Sequence, residues 1–291
     1  MARRKRALEV VRNEDDGEGK PSRRNRLNFF ELAYQRIEEL LVHCELKPGQ
    51  FMTMLELQHI TGFGRTPVHH AVNRLSADTL IIIRPRHGLH IAPIDLARER
   101  MLLALRRDME RFVVRLAADR ASLSHRNQAL HIERLLRERR ATLTLDEFNS
   151  IDRRIDALVL EAAGEPFLVH TLRPLHTLYR RIGYIHHRFM PGQAELSGTI
   201  DRHLAILVAV AGRHVEDAVK ASDALIDYMD HMFTGMEAGI DPRLLDCSIE
   251  PLLGTSESFE ERTKDVDDGD ATTDRERSRG PLPHHELQSQ R

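Results

Sequence analysis

The stretch that decides the fold is GFGRTPVHHAVNRL, residues 62–75. Pro67 falls in the first turn of a helix, where its missing N–H costs nothing. The apolar side chains that follow recur at helical spacing, at Val68, Ala71, Val72 and Leu75. The stretch therefore predicts a helix with one buried face.

Two helices are predicted before this one. Residues 28–44 carry apolar side chains at helical spacing, and the Lys-Pro-Gly turn at residues 47–49 ends that helix. Thr53 is a suitable N-cap for a second helix, which extends through His59. These segments lie close enough together to form one small helical unit with the third helix.

A hairpin is predicted directly after the third helix. Residues 80–83 read Leu-Ile-Ile-Ile, which is typical of a strand, and residues 84–88, Arg-Pro-Arg-His-Gly, form a turn. Residues 89–91 supply the returning strand. Three helices and a hairpin predict a winged helix-turn-helix domain over residues 28–94.

The chain changes character from about residue 95. Helical periodicity dominates residues 95–241, and Gly, Pro and Ser interrupt it at regular gaps. The short connections favour antiparallel neighbours, so we predict an all-helical antiparallel bundle of about six helices. The predicted fold class is mainly α, with an N-terminal winged helix-turn-helix followed by this bundle.

The two ends of the chain have opposite charge. Residues 1–27 are basic and residues 242–291 are polar and acidic, which leaves a net charge of −2. Neither end shows apolar periodicity, so we predict a disordered basic arm and a disordered tail. The arm is a candidate for contacts with DNA phosphates.

Several classes of protein are disfavoured by the sequence. Cys44 and Cys247 show no disulfide or zinc spacing, and no Gly-rich phosphate loop or catalytic motif is recognisable, which argues against an enzyme. No apolar run approaches the roughly 20 residues of a membrane-spanning helix, and the N-terminus lacks a signal-peptide pattern. We therefore expect a cytoplasmic protein that does not bind a membrane.

The order of these motifs resembles a known family. Residues 46–49, 62–68 and 84–88 together resemble the DNA-binding domain of GntR-family bacterial regulators. The remainder is similar to the FCD effector domain of the FadR-like branch, through Arg106-x-x-x-Glu110 and residues 152–168 and 202–207. The resemblance covers roughly residues 30–240.

The resemblance implies double-stranded operator DNA as a partner, with the third helix in the major groove. Arg65 is then placed to pair with a guanine, and Thr66 with a phosphate. Family members usually have Ser or Thr at Gly64 and Arg at His69, so the operator preference is expected to differ. The residues predicted to contact DNA are Arg65, Thr66, His69, Arg74, Arg84, Arg86, His87 and Gly88.

The FCD resemblance also implies a metal site made of an Asp, a His four residues later, and two further His. Asp152 and His203 match the first and third positions, whereas the second is Asp156 and the fourth is Leu225. This leaves a possible but incomplete site for a divalent metal (Zn, Ni or Mn) at Asp152, Asp156 and His203. A metal-free pocket is the alternative.

The predicted effector site consists of Arg106, Asp152, Asp156, Arg180 and His203. An organic acid could pair with an Arg fork, and a cationic or neutral metabolite could pair with the carboxylates. We expect a homodimer that binds a two-fold-related site and responds to this small molecule. The resemblance implies a repressor released by ligand. An activator, or a DNA-binding dimer whose helical domain has lost metal or effector sensing, are the alternatives.

Overall fold

The first part of the chain forms three helices and a small sheet. The computed structural model describes residues 23–190 and 196–249. The N-terminal elements are α1 (Arg23–Val42), β1 (Phe51–Met52), α2 (Met54–Thr61), α3 (Arg65–Ala77), β2 (Ile81–Arg84) and β3 (Gly88–Ile91). The sheet is antiparallel in the order β1-β3-β2, and β2 and β3 form the predicted wing. This confirms the winged helix-turn-helix fold.

Local sequence signals set the ends of α2. Thr53 and Glu56 form a reciprocal capping box at its start, as the N-cap prediction required. Gly62 ends it in the left-handed region with φ 74°. The apolar faces of the three helices and the sheet then meet in one core, which includes Tyr34, Leu57 and Leu75.

The second part of the chain is helical throughout its described residues, which confirms the predicted fold class. Its helices are α4 (Leu96–Arg120), α5 (Leu123–Arg139), α6 (Leu145–Ala163), α7 (Pro166–Phe189), α8 (Leu196–Gly212), α9 (Val215–Gly239) and α10 (Pro242–Leu245). Capping boxes at Ser122 and Thr144 begin α5 and α6. A core that includes Val113, Leu158 and Leu207 lies between the helices. Among the described residues, none of the helices is both long and apolar enough to cross a membrane.

The ends of the folded region differ from the predicted boundaries. Helix α1 begins at Arg23, inside the segment that we expected to be a disordered arm. Residues 242–249, expected to belong to a disordered tail, fold back onto the N-terminal domain, because Ile94 N donates to Leu245 O at 2.8 Å and Cys247 N to Pro48 O at 2.8 Å. The apolar periodicity of the sequence does not indicate these backbone contacts. The rest of both predicted tails, residues 1–22 and 250–291, lies outside the described residues.

Gly88 is required by the wing itself. Its φ is 90°, and a Cβ at this position would lie 2.6 Å from the backbone O of Met52 on the neighbouring strand β1. Both the backbone conformation and the close approach exclude any larger residue.

We predict that Gly88→Ala lowers the free energy of unfolding by about 1 kcal/mol or more, because Ala is strained at positive φ and collides with Met52. Thermal unfolding measures the loss as a decrease in Tm. Gly183→Ala is the matched control, since Gly183 lies inside α7 with open space around its Cβ position. A Gly88→Ala variant as stable as this control would contradict the assignment.

Candidate DNA-binding surface and ligand pocket

The N-terminal end of α3 is exposed and carries no side-chain cap. Its N-cap is Gly64, so no side chain occupies the first N–H groups of the helix. Arg65, Thr66 and His69 are exposed on the first turns, and His69 is held by a 3.2 Å hydrogen bond between its Nδ1 and Asn73 Nδ2. Unpaired N–H groups beside a basic side chain are suited to bind phosphate.

The wing presents a second group of exposed basic side chains. Arg84, Arg86 and His87 lie at the turn between β2 and β3, and all three are exposed. The turn is tight enough to place Arg86 in the left-handed region, with φ 68°. The predicted wing residues are therefore available to a partner.

Two of the predicted DNA contacts have roles inside the protein. The Arg74 side chain turns toward α1, where Nη1 donates to Glu31 at 2.8 Å and the guanidinium lies 3.8 Å from the ring centre of Tyr34. Gly88 faces Met52, as described above. Both residues support the domain from within, and we leave them out of the surface proposed to contact DNA.

A small cavity lies between α4, α6, α7, α8 and α9. Its volume is about 40 Å³, which is room for a few water molecules. The predicted effector residues Arg106, Asp152, Arg180 and His203 all line it, together with Leu225. Four of the five predicted effector residues are thus brought together, and we call this space the inner cavity.

Asp152 and His203 form an ion pair in the inner cavity. His203 Nε2 lies 2.9 Å from Asp152 Oδ1, and His203 Nδ1 lies 2.8 Å from the backbone O of Thr199. Burial alone would lower the pKa of His203, but the Asp152 charge and these hydrogen bonds raise it. Burial would raise the pKa of Asp152, yet the imidazolium and the nearby arginines lower it to about 2. Both shifts favour the charged form of each partner.

Asp156 does not join this pair, although it lies one helical turn after Asp152. Its Oδ2 accepts from Arg180 Nη1 at 3.1 Å and lies 3.5 Å from His176 Nδ1. Burial and the Asp152 charge raise the pKa of Asp156, although His176 and Arg180 oppose this shift. The two carboxylates that the sequence grouped together thus serve different partners.

The donor set does not fit a resident metal. Within residues 23–190 and 196–249, no three His, Cys, Asp or Glu side chains are grouped so that they could hold an ion. Asp152 pairs with His203, whereas Asp156 turns to Arg180 and Leu225 offers no donor atom. The guanidinium groups of Arg106 and Arg180 would also repel a divalent cation. The predicted metal set of Asp152, Asp156 and His203 is therefore not assembled.

Ion pairs continue from the inner cavity through the protein, in what we call the buried charge network. Arg106 Nε lies 3.2 Å from Glu110 Oε1, which lies 2.7 Å from His176 Nε2. Burial would raise the pKa of Glu110, but His176 and Arg106 lower it to about 2. Asp156 and Glu110 also raise the pKa of His176 against the effect of burial. The basic members are Arg106, His176, Arg180 and His203, and the acidic members are Glu38, Glu110, Asp152 and Asp156. With both imidazoles protonated the formal charges cancel.

The last member of the network comes from the other domain. Glu38 lies on α1, and its Oε1 accepts from Arg180 Nη2 at 3.0 Å and from the hydroxyl of Thr177. Sequence reasoning did not place Glu38, Glu110, His176 or Thr177 in the site, although Glu110 belongs to the Arg106-x-x-x-Glu110 motif. The i,i+4 spacing of Arg106 and Glu110 was a usable signal for one pair. Nothing local to Glu38 indicates its partner.

Comparisons with known proteins agree with this architecture. The family model for the DNA-binding region, described as bacterial regulatory proteins of the gntR family, matches residues 31–91, and the FCD domain model matches residues 101–228. The chain is 28% identical over 155 residues to the HTH-type transcriptional repressor RspR of Escherichia coli K12. That alignment covers 52% of this chain and 67% of RspR.

Solved structures show the same fold at low sequence identity. Escherichia coli McbR/YncC matches with a TM-score of 0.61 and 16% identity, over 72% of this chain and 98% of that one. A GntR-type regulator from Rhodococcus sp. RHA1 matches with a TM-score of 0.52 and 17% identity, over 73% and 99% of the two chains.

We predict that Asp152→Asn lowers the pKa of His203, because it removes the charge that raises this pKa and leaves the opposing effect of burial. Titration of the histidine ring resonances by NMR measures the shift. Asp223→Asn, which changes a carboxylate paired with Arg111 away from the cavity, is the control. An unchanged His203 pKa in Asp152→Asn would show that the pair does not form in solution.

Proposed function

Since the chain belongs to the GntR family of bacterial transcription regulators and carries an FCD domain, we propose that a small organic anion controls its affinity for operator DNA. The observation that carries the proposal is the presence in one chain of two features. One is the exposed, uncapped, basic end of α3, and the other is a buried cavity lined by Arg106 and Arg180. The first suits DNA and the second suits a carboxylate.

DNA recognition is proposed to use α3 and the wing. Arg65 reads a guanine through its two parallel N–H donors, and Thr66 with the free N–H groups of the first turn holds a phosphate. His69 faces the same groove one turn later. Arg84, Arg86 and His87 contact the backbone or the adjacent minor groove. This assignment rests on the exposure of these side chains and on the geometry common to winged helices.

A homodimer is proposed to carry two such surfaces to a two-fold-related operator. The protein then acts in the cytoplasm as a repressor that ligand releases. A ligand that favours a different pose of the winged helices weakens operator binding through a coupling energy of about 1–3 kcal/mol.

An organic acid is the ligand class that the charges favour. Arg106, Arg180 and the His203 imidazolium line the inner cavity, and Asp152 is the acidic residue among its lining side chains. A bound carboxylate would therefore meet three basic groups in a site largely shielded from water, where it would compete with the carboxylates that already pair with them. Because the cavity measures about 40 Å³, its side chains must rearrange to admit such a ligand.

The small volume supports a second candidate function. With Leu225 in place of a metal ligand and little free space, the helical domain could serve dimerisation alone, and the protein would bind DNA without sensing a metabolite.

We predict that Arg65→Ala abolishes specific operator binding and leaves the dimer intact, because only the base contact is removed. An operator selected from a random DNA library and measured by fluorescence anisotropy gives the affinity, and size-exclusion chromatography gives the oligomeric state. Arg115→Ala is the control, since Arg115 pairs with Glu216 on the helical domain. If Arg65→Ala retained native affinity, α3 would not read the bases as proposed.

Native mass spectrometry of the protein as purified separates the two candidate functions. We expect a dimer that carries one small organic increment per subunit, or that gains one when organic acids are added. A dimer that never gains such an increment, while still binding its operator, would favour the second candidate. A metal-sized increment would contradict our conclusion about the donor set.

A further inference from the structure

Glu38 connects the DNA-binding domain to the wall of the inner cavity. It lies on α1 and is only 3% exposed. Both groups that donate to its Oε1, Arg180 Nη2 and the Thr177 hydroxyl, belong to α7 of the helical domain. The next basic group, Arg153 Nη1, lies 3.9 Å from Oε2. The main charge partner of Glu38 is thus a cavity residue, and we call Glu38–Arg180 the interdomain ion pair.

Arg180 faces two spaces at once. It lines the inner cavity, and it also lines a cleft of about 500 Å³ between α1, α6 and α7, which we call the interdomain cleft. Its Nη1 donates to Asp156 at 3.1 Å, while its Nη2 donates to Glu38 at 3.0 Å and approaches Thr177 Oγ1 at 3.1 Å. Three of the five N–H groups of the guanidinium therefore donate to protein acceptors. An anion that pairs with Arg180 from the inner cavity competes with these acceptors for the same positive charge, and so weakens their attraction to the guanidinium.

Of the contacts made by Arg180, the one with Glu38 is the one that can be broken. Asp156 belongs to the same domain as Arg180, and His176 also holds it at 3.5 Å. Glu38 belongs to the other domain and borders the interdomain cleft, so a movement of α1 can bring its carboxylate to water. A carboxylate that loses its buried partner must be rehydrated, because an unpaired buried charge is strongly unfavourable. Loss of this pair therefore favours separation of α1 from α7.

The position of α1 is transmitted to α3 by direct contacts. Arg74 near the end of α3 donates to Glu31 of α1 at 2.8 Å and lies 3.8 Å from the ring centre of Tyr34, also on α1. The apolar core of the domain includes residues of both helices. Movement of α1 thus carries α3 and its exposed N-terminal end with it.

We propose that the interdomain ion pair is the regulatory contact of this protein. An anion that enters the inner cavity and pairs with Arg180 weakens the Glu38 contact and changes the pose of the DNA-binding domain. The neutral backbone contacts, from Ile94 to Leu245 and from Cys247 to Pro48, do not depend on this charge and keep the domains connected. This inference rests on the proposed function and adds the contact through which the ligand acts.

The first test removes the charge of Glu38 without ligand. Glu38→Gln retains acceptor and donor groups but not the ion pair, and we expect operator Kd to rise about five-fold or more. Glu39→Gln is the matched control, because Glu39 is exposed and pairs with Arg36 on α1 itself. Glu38→Gln with the operator Kd of the native protein, or a lower one, would overturn the proposal. If Glu38→Gln fails to fold, Arg180→Gln removes the charge of the same contact from α7 and has the same expected effect.

The second test places an anion in the inner cavity. Leu225→Glu adds a carboxylate to the cavity wall, and Leu225→Gln adds a neutral side chain of the same shape. In the presence of EDTA, we expect the Glu variant to bind the operator about five-fold or more weakly than the Gln variant. In the Glu38→Gln background this difference should vanish, because the contact is already lost. A difference of equal size in both backgrounds would overturn the proposal.

The two proposals can fail separately. If the native protein selects no DNA sequence, the proposed function fails and the regulatory contact fails with it. If the native protein binds an operator and Glu38→Gln binds it equally well, only the regulatory contact is wrong. Thermal unfolding of each variant shows whether a change in Kd accompanies a loss of fold.

Discussion

The charge of Arg180 is the constraint on which the arrangement of the two domains depends. The side chain is buried, and its guanidinium pairs with Asp156 of the helical domain and with Glu38 of the DNA-binding domain. Since an unpaired buried charge is strongly unfavourable, the domains are held where both carboxylates can reach it. Helix α7 supplies this arginine and separates the inner cavity from the DNA-binding domain. A change in the contacts of Arg180 in the inner cavity therefore affects its pairing with Glu38 on the other side of α7.

The same pairing explains why the helical domain departs from a metal site. Asp156 stands where the family pattern has a histidine, and it turns to Arg180 and His176 instead of joining Asp152 and His203. Leu225 removes the last possible ligand. What remains is a set of fixed charges in which guanidinium and imidazolium groups face the cavity. The anion that we propose as the ligand would pair with these groups directly, with no metal ion between them.

The DNA-binding domain is organised around α1 as much as around α3. Arg74 does not face outward but ties α3 to Glu31 and Tyr34, and the ring of Tyr34 also lies 5.2 Å from the guanidinium of Arg173 on α7. The side chains of Arg65, Thr66 and His69 at the start of α3 remain exposed, while Arg74 near its other end contacts α1. A rigid link between α1 and α3 is what allows a single buried ion pair to influence a surface on the far side of the domain.

The sequence by itself determined the elements of this protein and their order. Apolar spacing, the Thr53 cap, the Gly62 stop and the β-branched residues 81–83 are local signals, because helix and strand formation depend on near neighbours. The motifs also identified the family. Tertiary structure alone decided which side chains meet. Asp152 and Asp156 share a helix face yet have different partners. Gly88 is constrained by the backbone of a strand more than thirty residues earlier, and Glu38 pairs with Arg180 of the other domain. Such pairs depend on how distant helices pack, and no periodicity along the chain encodes that geometry.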